Sequence, residues 1–207
     1  MKISHRVALV ASVALLGAAG LVAPAHATNA AHPPNNNKAE FFVGGDGTAG
    51  WVNSDGGKVA QLSSPDGGSY AGFQGRGIDG VNVAGITALS YDFRVTTPGW
   101  TGGGGGSPRL VVEFSDGGDI ALTPVTSLTS GQWVHMDAIT GAVDSSGGTC
   151  GYRYQATWTD AAACHSGTTV VEAFVVNDSG WLAPLTLQVD NVTLNTSVYS
   201  GPGSAKK

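Results

Sequence analysis

Charge is scarce in this chain. Only 12% of its 207 residues are Asp, Glu, Lys or Arg, and 10 basic residues stand against 15 acidic ones. The basic residues are scattered from Lys2 to Lys207 with no stripe that could neutralise a run of phosphates, so the composition predicts no nucleic-acid partner. A coiled coil, which needs dense heptad charge, is excluded on the same ground. Cysteine is nearly absent. Cys150 and Cys164 are the 2 present, too few thiols for a sulfur-rich metal site, which takes three or four Cys/His ligands; nearby His165 could join them, but a structural disulfide is the expected use. Glutamate is almost as rare, and no Gly-x-Ser-x-Gly nucleophile turn occurs. Amphipathic helices are missing too: no segment carries a convincing 3.6-residue apolar period.

What is present begins with a leader. Lys2 and Arg6 precede the apolar run from Val7 to Val22, and Ala25-His26-Ala27 offers the small-x-small pattern of a signal-peptidase site. Residues 1–27 are therefore expected to be a secretory signal, and the run is short for a bilayer span of roughly 20 residues. No second long apolar run follows, so no membrane association is expected after cleavage. Secretion favours oxidation of the cysteines. A Cys150–Cys164 bridge would close a loop of about 15 residues, worth about 3 kcal/mol in chain-entropy terms.

Residues 28–40, rich in Asn, Pro and Ala, read as a flexible lead-in, and 200–207 as a flexible tail. Between them, 41–199 read as a single domain with a hydrophobic period of two. Leu89, Tyr91, Phe93 and Val95 alternate with Ser90, Asp92 and Arg94, and Tyr152, Tyr154, Ala156 and Trp158 alternate with Arg153, Gln155 and Thr157. Lys58–Ser63, Tyr70–Gln74 and Trp133–Ala138 are shorter strand candidates. Arg109–Phe114 and Thr169–Val176 are more continuously apolar, as central strands are. In Leu185–Leu194 the apolar parity switches at Asp190-Asn191, which predicts a bulge. Turn sequences such as Asp66-Gly67-Gly68, Asp116-Gly117-Gly118 and Ser146-Gly147-Gly148 supply residues able to take positive φ. About nine or ten strands without helices predict an all-β, antiparallel, jelly-roll-like sandwich.

Candidate chemistry follows from where aromatic and acidic residues fall. Sugars pack their C–H faces on aromatic rings. Trp100 runs directly into the glycines 102–106, and Trp181 follows Asn177-Asp178-Ser179-Gly180, so both are expected as exposed loop rings. Tyr152 and Tyr154 share one strand face with Trp158, either as a binding platform or as core; Trp51 and Trp133 read as core. Glycoside hydrolysis would need two carboxylates flanking a bond. Glu113 and Glu172 are the pair available outside the lead-in, conceivable if their strands are neighbours; otherwise they meet solvent or make a polar contact between strands. Asp190 offers a hard oxygen ligand for calcium, with Asp46 or Asp66 as helpers.

Three segments carry a resemblance: Gly50-Trp51-Val52, the strand Leu89-Ser90-Tyr91-Asp92-Phe93-Arg94-Val95, and the closing Gln188-Val189-Asp190-Asn191-Val192-Thr193-Leu194. In this order they resemble secreted carbohydrate-binding-module jelly rolls of the galactose-binding-like kind. The resemblance implies a polysaccharide or cell-surface glycan as partner and a structural calcium at Asp190. Segments 107–118 and 174–182 also resemble secreted proteins of Gram-positive, high-GC bacteria, a likeness that brings no activity with it. The resulting expectation is a secreted, non-catalytic sandwich binding a glycan through Trp100, Trp181, Tyr152 and Tyr154. The alternatives are a structural or adhesive protein without a small ligand, or a glycan-active enzyme using Glu113 and Glu172.

Overall fold

The computed structural model describes residues 39–54, 57–98, 107–124, 129–178 and 184–202. Its strands, in chain order, are β1 (Glu40–Gly44), β2 (Thr48–Ser54), β3 (Gly57–Ser64), β4 (Tyr70–Gly75), β5 (Leu89–Val95), β6 (Arg109–Phe114) and β7 (Asp119–Leu122). They continue with β8 (Val134–Asp137), β9 (Ala142–Ser146), β10 (Arg153–Thr157), β11 (Val170–Asn177), β12 (Leu185–Leu194) and β13 (Ser197–Tyr199), with one α-helix among the described residues, α1 (Trp158–Cys164), after β10. Every pairing is antiparallel. A seven-stranded sheet runs β1-β4-β11-β6-β7-β9-β10; the second sheet runs β2-β3-β12-β5-β8, with β13 paired to β12. The chain crosses repeatedly from one sheet to the other, which is the expected jelly-roll-like sandwich.

The alternation read in β5 survives intact. Leu89, Tyr91, Phe93 and Val95 are buried between the sheets, in one core cluster with Leu62 and Leu187 of their own sheet and Phe73, Leu110 and Ile120 of the other. Each such side chain contributes roughly 1.5–3 kcal/mol by leaving water. Tyr91 can lie in this core because its hydroxyl donates to the Pro108 carbonyl at 2.8 Å. The bulge in β12 falls where the parity switched: Asn191 has φ 50°, and the register against β5 slips between Asp190 and Thr193. Leu185, Leu187 and Val189 before it, and Val192 and Leu194 after it, all reach the core.

Four expectations are corrected. First, a helix exists: Thr157 caps α1 by accepting the Asp160 amide at 3.1 Å, Asp160 lies in the first turn, and Trp158, Ala161 and Cys164 form the buried stripe. Seven residues are too few to show a period in the sequence. Second, the alternation from Tyr152 to Trp158 is broken, because Gln155 takes φ 53° and the pairing with β9 slips between Arg153 and Ala156. Trp158 therefore enters the core while the tyrosines do not. Third, Trp133 precedes β8 and is 38% exposed under the Arg94 guanidinium, 4.8 Å from its ring centre; Trp51 does pack against the core. Fourth, the Asp66-Gly67-Gly68 turn uses the Asp66 carboxylate, which accepts from the Gly68 amide at 2.8 Å, rather than a positive-φ glycine.

Candidate functional site

The seven-stranded sheet is buried on both faces along its middle, which explains the unbroken apolar runs of its central strands. Along β6, Leu110, Val112 and Phe114 enter the main core, and Arg109, Val111 and Glu113 alternate onto the outer face. On β11, Glu172, Phe174 and Val176 take that outer face. Val111, Ala121, Phe174 and Val176 form a second apolar cluster there, with Phe42 and Tyr70 packed against it. Gly72 permits this packing: the Phe42 ring lies across β4, where a Cβ would strike that ring and the Val175 carbonyl.

Beside the apolar cluster runs a polar row, one side chain per strand. Glu172 of β11 stands directly opposite Glu113 of β6, Glu113 opposite Asp119 of β7, and Asp119 opposite Ser146 of β9. Residues directly opposite in antiparallel strands share a face. Gln74 of β4 donates its Nε2 to Glu172 Oε2 at 2.9 Å, and Ser146 Oγ donates to Asp119 Oδ1. Glu113 and Glu172, directly opposite on adjacent strands, are close enough for each carboxylate to disfavour ionisation of the other. Burial, the Glu172 charge, the bond to Glu172 and the Asp119 charge together push Glu113 up to about 7. So the two glutamates do lie on neighbouring strands, directly opposite each other on the outer face of the sheet.

At the β10 edge the row ends in tyrosines. Tyr152 is 70% and Tyr154 66% exposed. Tyr152 has its phenol pushed up by partial burial, and further by Asp144, Tyr154 and Asp119, which places those groups within electrostatic reach. Asp144, from β9, accepts the Gln155 amide at 2.9 Å. Arg109 pairs with Asp178. Burial pulls its guanidinium down, while Asp119 and Asp144 act in the opposite sense.

The bridge Cys150–Cys164 is formed, joining the chain just before Tyr152 to the last residue of α1. The next residue, His165, is fully buried and stacked on Phe114 at 4.7 Å and 21°. Its Nδ1 lies 2.9 Å from Asp116 Oδ2 and its Nε2 3.1 Å from Ser145 Oγ. Both ring nitrogens are thus engaged, and the imidazole is no metal ligand beside the cysteines. Serine, histidine and aspartate in this order have the layout of a hydrolytic triad. Ser145 is sealed from solvent, however, and the trio is a clamp between β9, the β6–β7 turn and the end of α1.

Asp190 stands opposite Asp92 on the outer face of the second sheet. Asp92 Oδ1 is 2.7 Å from His135 Nδ1, and its Oδ2 accepts from Asn191 at 2.7 Å. Asp66 lies at the other end: Leu185 pairs Ser64 while Val189 pairs Ala60, so Asp190 and the Asp66 turn are separated by roughly 17 Å of strand. The Asp46 loop lies against Ser69 in that same turn. Asp46 and Asp66 therefore cannot join Asp190 around one ion. Among the described residues no group of three or more His, Cys, Asp or Glu side chains is placed to hold a metal, and calcium asks for six to eight oxygens.

Trp100 and Trp181 lie outside the described residues. Sequence reasoning missed Gln74, Asp119 and Ser146 as members of the row, Arg109 and Asp144 beside it, and the Asp116–Ser145–His165 clamp. Strands β7 and β9 have 4 and 5 residues, too few to announce a period, and the clamp has no local motif. Comparison of the chain with protein-family models, with curated proteins and with solved structures gives no match.

Proposed function

We propose that this protein is a secreted, non-catalytic β-sandwich that binds a polysaccharide or cell-surface glycan along the tyrosine rim of its seven-stranded sheet. The observation that carries this reading is the exposure of Tyr152 and Tyr154 beside a row of hydrogen-bonding side chains. A tyrosine ring in water offers the flat apolar surface on which a pyranose stacks, and Asp144 and Asp119 offer acceptors for sugar hydroxyls. The contact between Glu113 and Glu172 favours binding over cleavage. Glycoside hydrolysis needs carboxyls on either side of the scissile bond, whereas Glu113 and Glu172 are neighbours on one sheet face.

The test is depletion of protein 28–207 from solution by insoluble cellulose, chitin, xylan, mannan and peptidoglycan. Selective loss on one polymer is expected, and Tyr152→Ala together with Tyr154→Ala should weaken it about tenfold or more, the loss of roughly 1.4 kcal/mol or above. Melting should barely change, because both rings stand in solvent. Trp100→Ala and Trp181→Ala in the same assay report whether those rings take part. No loss on any polymer removes the reading.

A further inference from the structure

The tyrosine rim has an asymmetric attachment. From Gln155 onward the chain is held firmly: the Gln155 amide is bonded to Asp144, Ala156 and Thr157 pair with β9, and Trp158 and Ala161 are buried. The end of α1 is held again by the clamp through His165. The preceding stretch, residues 147–154, is exposed at every position except Cys150. Gly147, Gly148 and Gly151 have φ of 71°, 60° and 65°, so three of its residues take the backbone region that only glycine enters cheaply. Gly147 and Gly148 sit against Gly118, the Cys164 carbonyl and the His165 ring, and from Thr149 onward the attachments are few. Thr149 donates its amide and its hydroxyl to the Cys164 carbonyl at 2.9 and 3.2 Å, Arg153 pairs with Ser145, and Cys150 is bonded to Cys164. Three of these ties converge on Cys164, and the disulfide is the covalent one.

We propose that the Cys150–Cys164 disulfide is a redox clasp that presents the tyrosine rim, and that reducing it frees residues 149–154 without unfolding the sandwich. In the reductive step a dithiol attacks the S–S bond. The bond breaks, two electrons and two protons pass to Cys150 and Cys164 as thiols, and the dithiol leaves as its own disulfide. Cys164 stays where it was, because α1 is fixed by its buried stripe and by His165. Cys150 is released, since the hydrogen bonds of Thr149 and the pairing of Arg153 with Ser145 then stand alone against the backbone freedom of an exposed stretch. The freed Tyr152 and Tyr154 lose the fixed spacing that stacking requires, so the ordering cost passes to the moment of binding. The consequence for affinity rests on the glycan reading above; the release itself does not.

Two measurements on the intact protein separate these. Amide hydrogen exchange is followed with and without dithiothreitol, and in the Cys150→Ser, Cys164→Ala double variant in case the reductant fails to reach the bond. Exchange across 149–154 is expected to quicken tenfold or more, with 158–165 and β11 unchanged, and retention on the polymer found above to fall at least tenfold. Unchanged exchange in 149–154 in both reduced protein and variant overturns the clasp. Faster exchange throughout α1 and the sheet also overturns it, by showing that the bridge holds the domain rather than the rim. Quickened exchange with undiminished retention overturns the gating. If neither redox form is retained by any polymer, the glycan reading fails, and exchange alone decides whether the clasp exists.

Discussion

His165→Ala should cost the domain about 3 kcal/mol in equilibrium denaturation at neutral pH, near the value for removing a buried ring. Three losses add. The stacking partner of Phe114 disappears and leaves a void lined by Gly118 and Gly148, whose backbones sit against the imidazole. Ser145, 1% exposed, loses its hydrogen-bond partner at Nε2, and an unsatisfied buried hydroxyl costs about 1–3 kcal/mol. Asp116 loses its partner at Nδ1. Ser145→Ala, which removes a hydroxyl and leaves the ring in place, should cost only about 1 kcal/mol. A loss below about 1 kcal/mol for His165→Ala would mean that the end of α1 is held by the disulfide and Trp158 alone.

The clamp also has an acid signature. Burial opposes ionisation of Asp116, but the hydrogen bonds from His165 and from the Gly118 amide outweigh it and hold the carboxyl below its ordinary value. A depressed carboxyl contributes stability that is fully present above its unfolded value and is lost as pH falls through the folded one. The wild type should therefore lose part of its advantage over His165→Ala below about pH 4, read as converging denaturation midpoints.

The architecture was legible in the sequence wherever a strand had one wet face or a long run. β5 announced itself by strict alternation, and the bulge in β12 by a parity switch at Asp190-Asn191. β6 and β11 read as central strands because they are buried on both faces. The site was less legible for two physical reasons. A cross-strand row is a property of register, and register between β11 and β6 is fixed by a bulge at Val171 that leaves no mark in the apolar run Val170-Val171. The sequence shows Glu113 and Glu172 as two isolated acids; only pairing makes them one unit. Tyr152 and Tyr154 failed in the other direction. Their alternation with Trp158 suggested a shared face, yet a single residue at φ 53°, Gln155, turns the chain so that Trp158 is buried and the tyrosines are not. Glutamine carries no signal for such a backbone.

The row makes stability depend on pH in the direction opposite to the clamp. Glu113 is raised from 4.5 to about 7, first by burial and then by the charge and hydrogen bond of Glu172 and the charge of Asp119. The folded protein therefore keeps a proton that the unfolded chain releases between about pH 4.5 and pH 7. Stability should fall as pH rises across that window. The group is half-buried, so after discounting for solvent screening the loss is about 1–2 kcal/mol, or about 2–6 °C in Tm for a domain of this size. Little nearby offsets the charge. Gln74 already donates to Glu172, Asp79 lies close enough to Glu172 to be raised by it, and Arg76 is shared between Glu40 and Asp79. Glu113→Gln removes the titrating proton and puts in its place an amide N–H able to donate to the Glu172 carboxylate throughout that window. The variant should match the wild type near pH 5, exceed it by the same 2–6 °C at pH 8, and show a flat Tm across the window. A variant that retains the wild-type slope would place the titrating proton elsewhere and dissolve the pair as a unit, leaving two separate carboxylates along the rim.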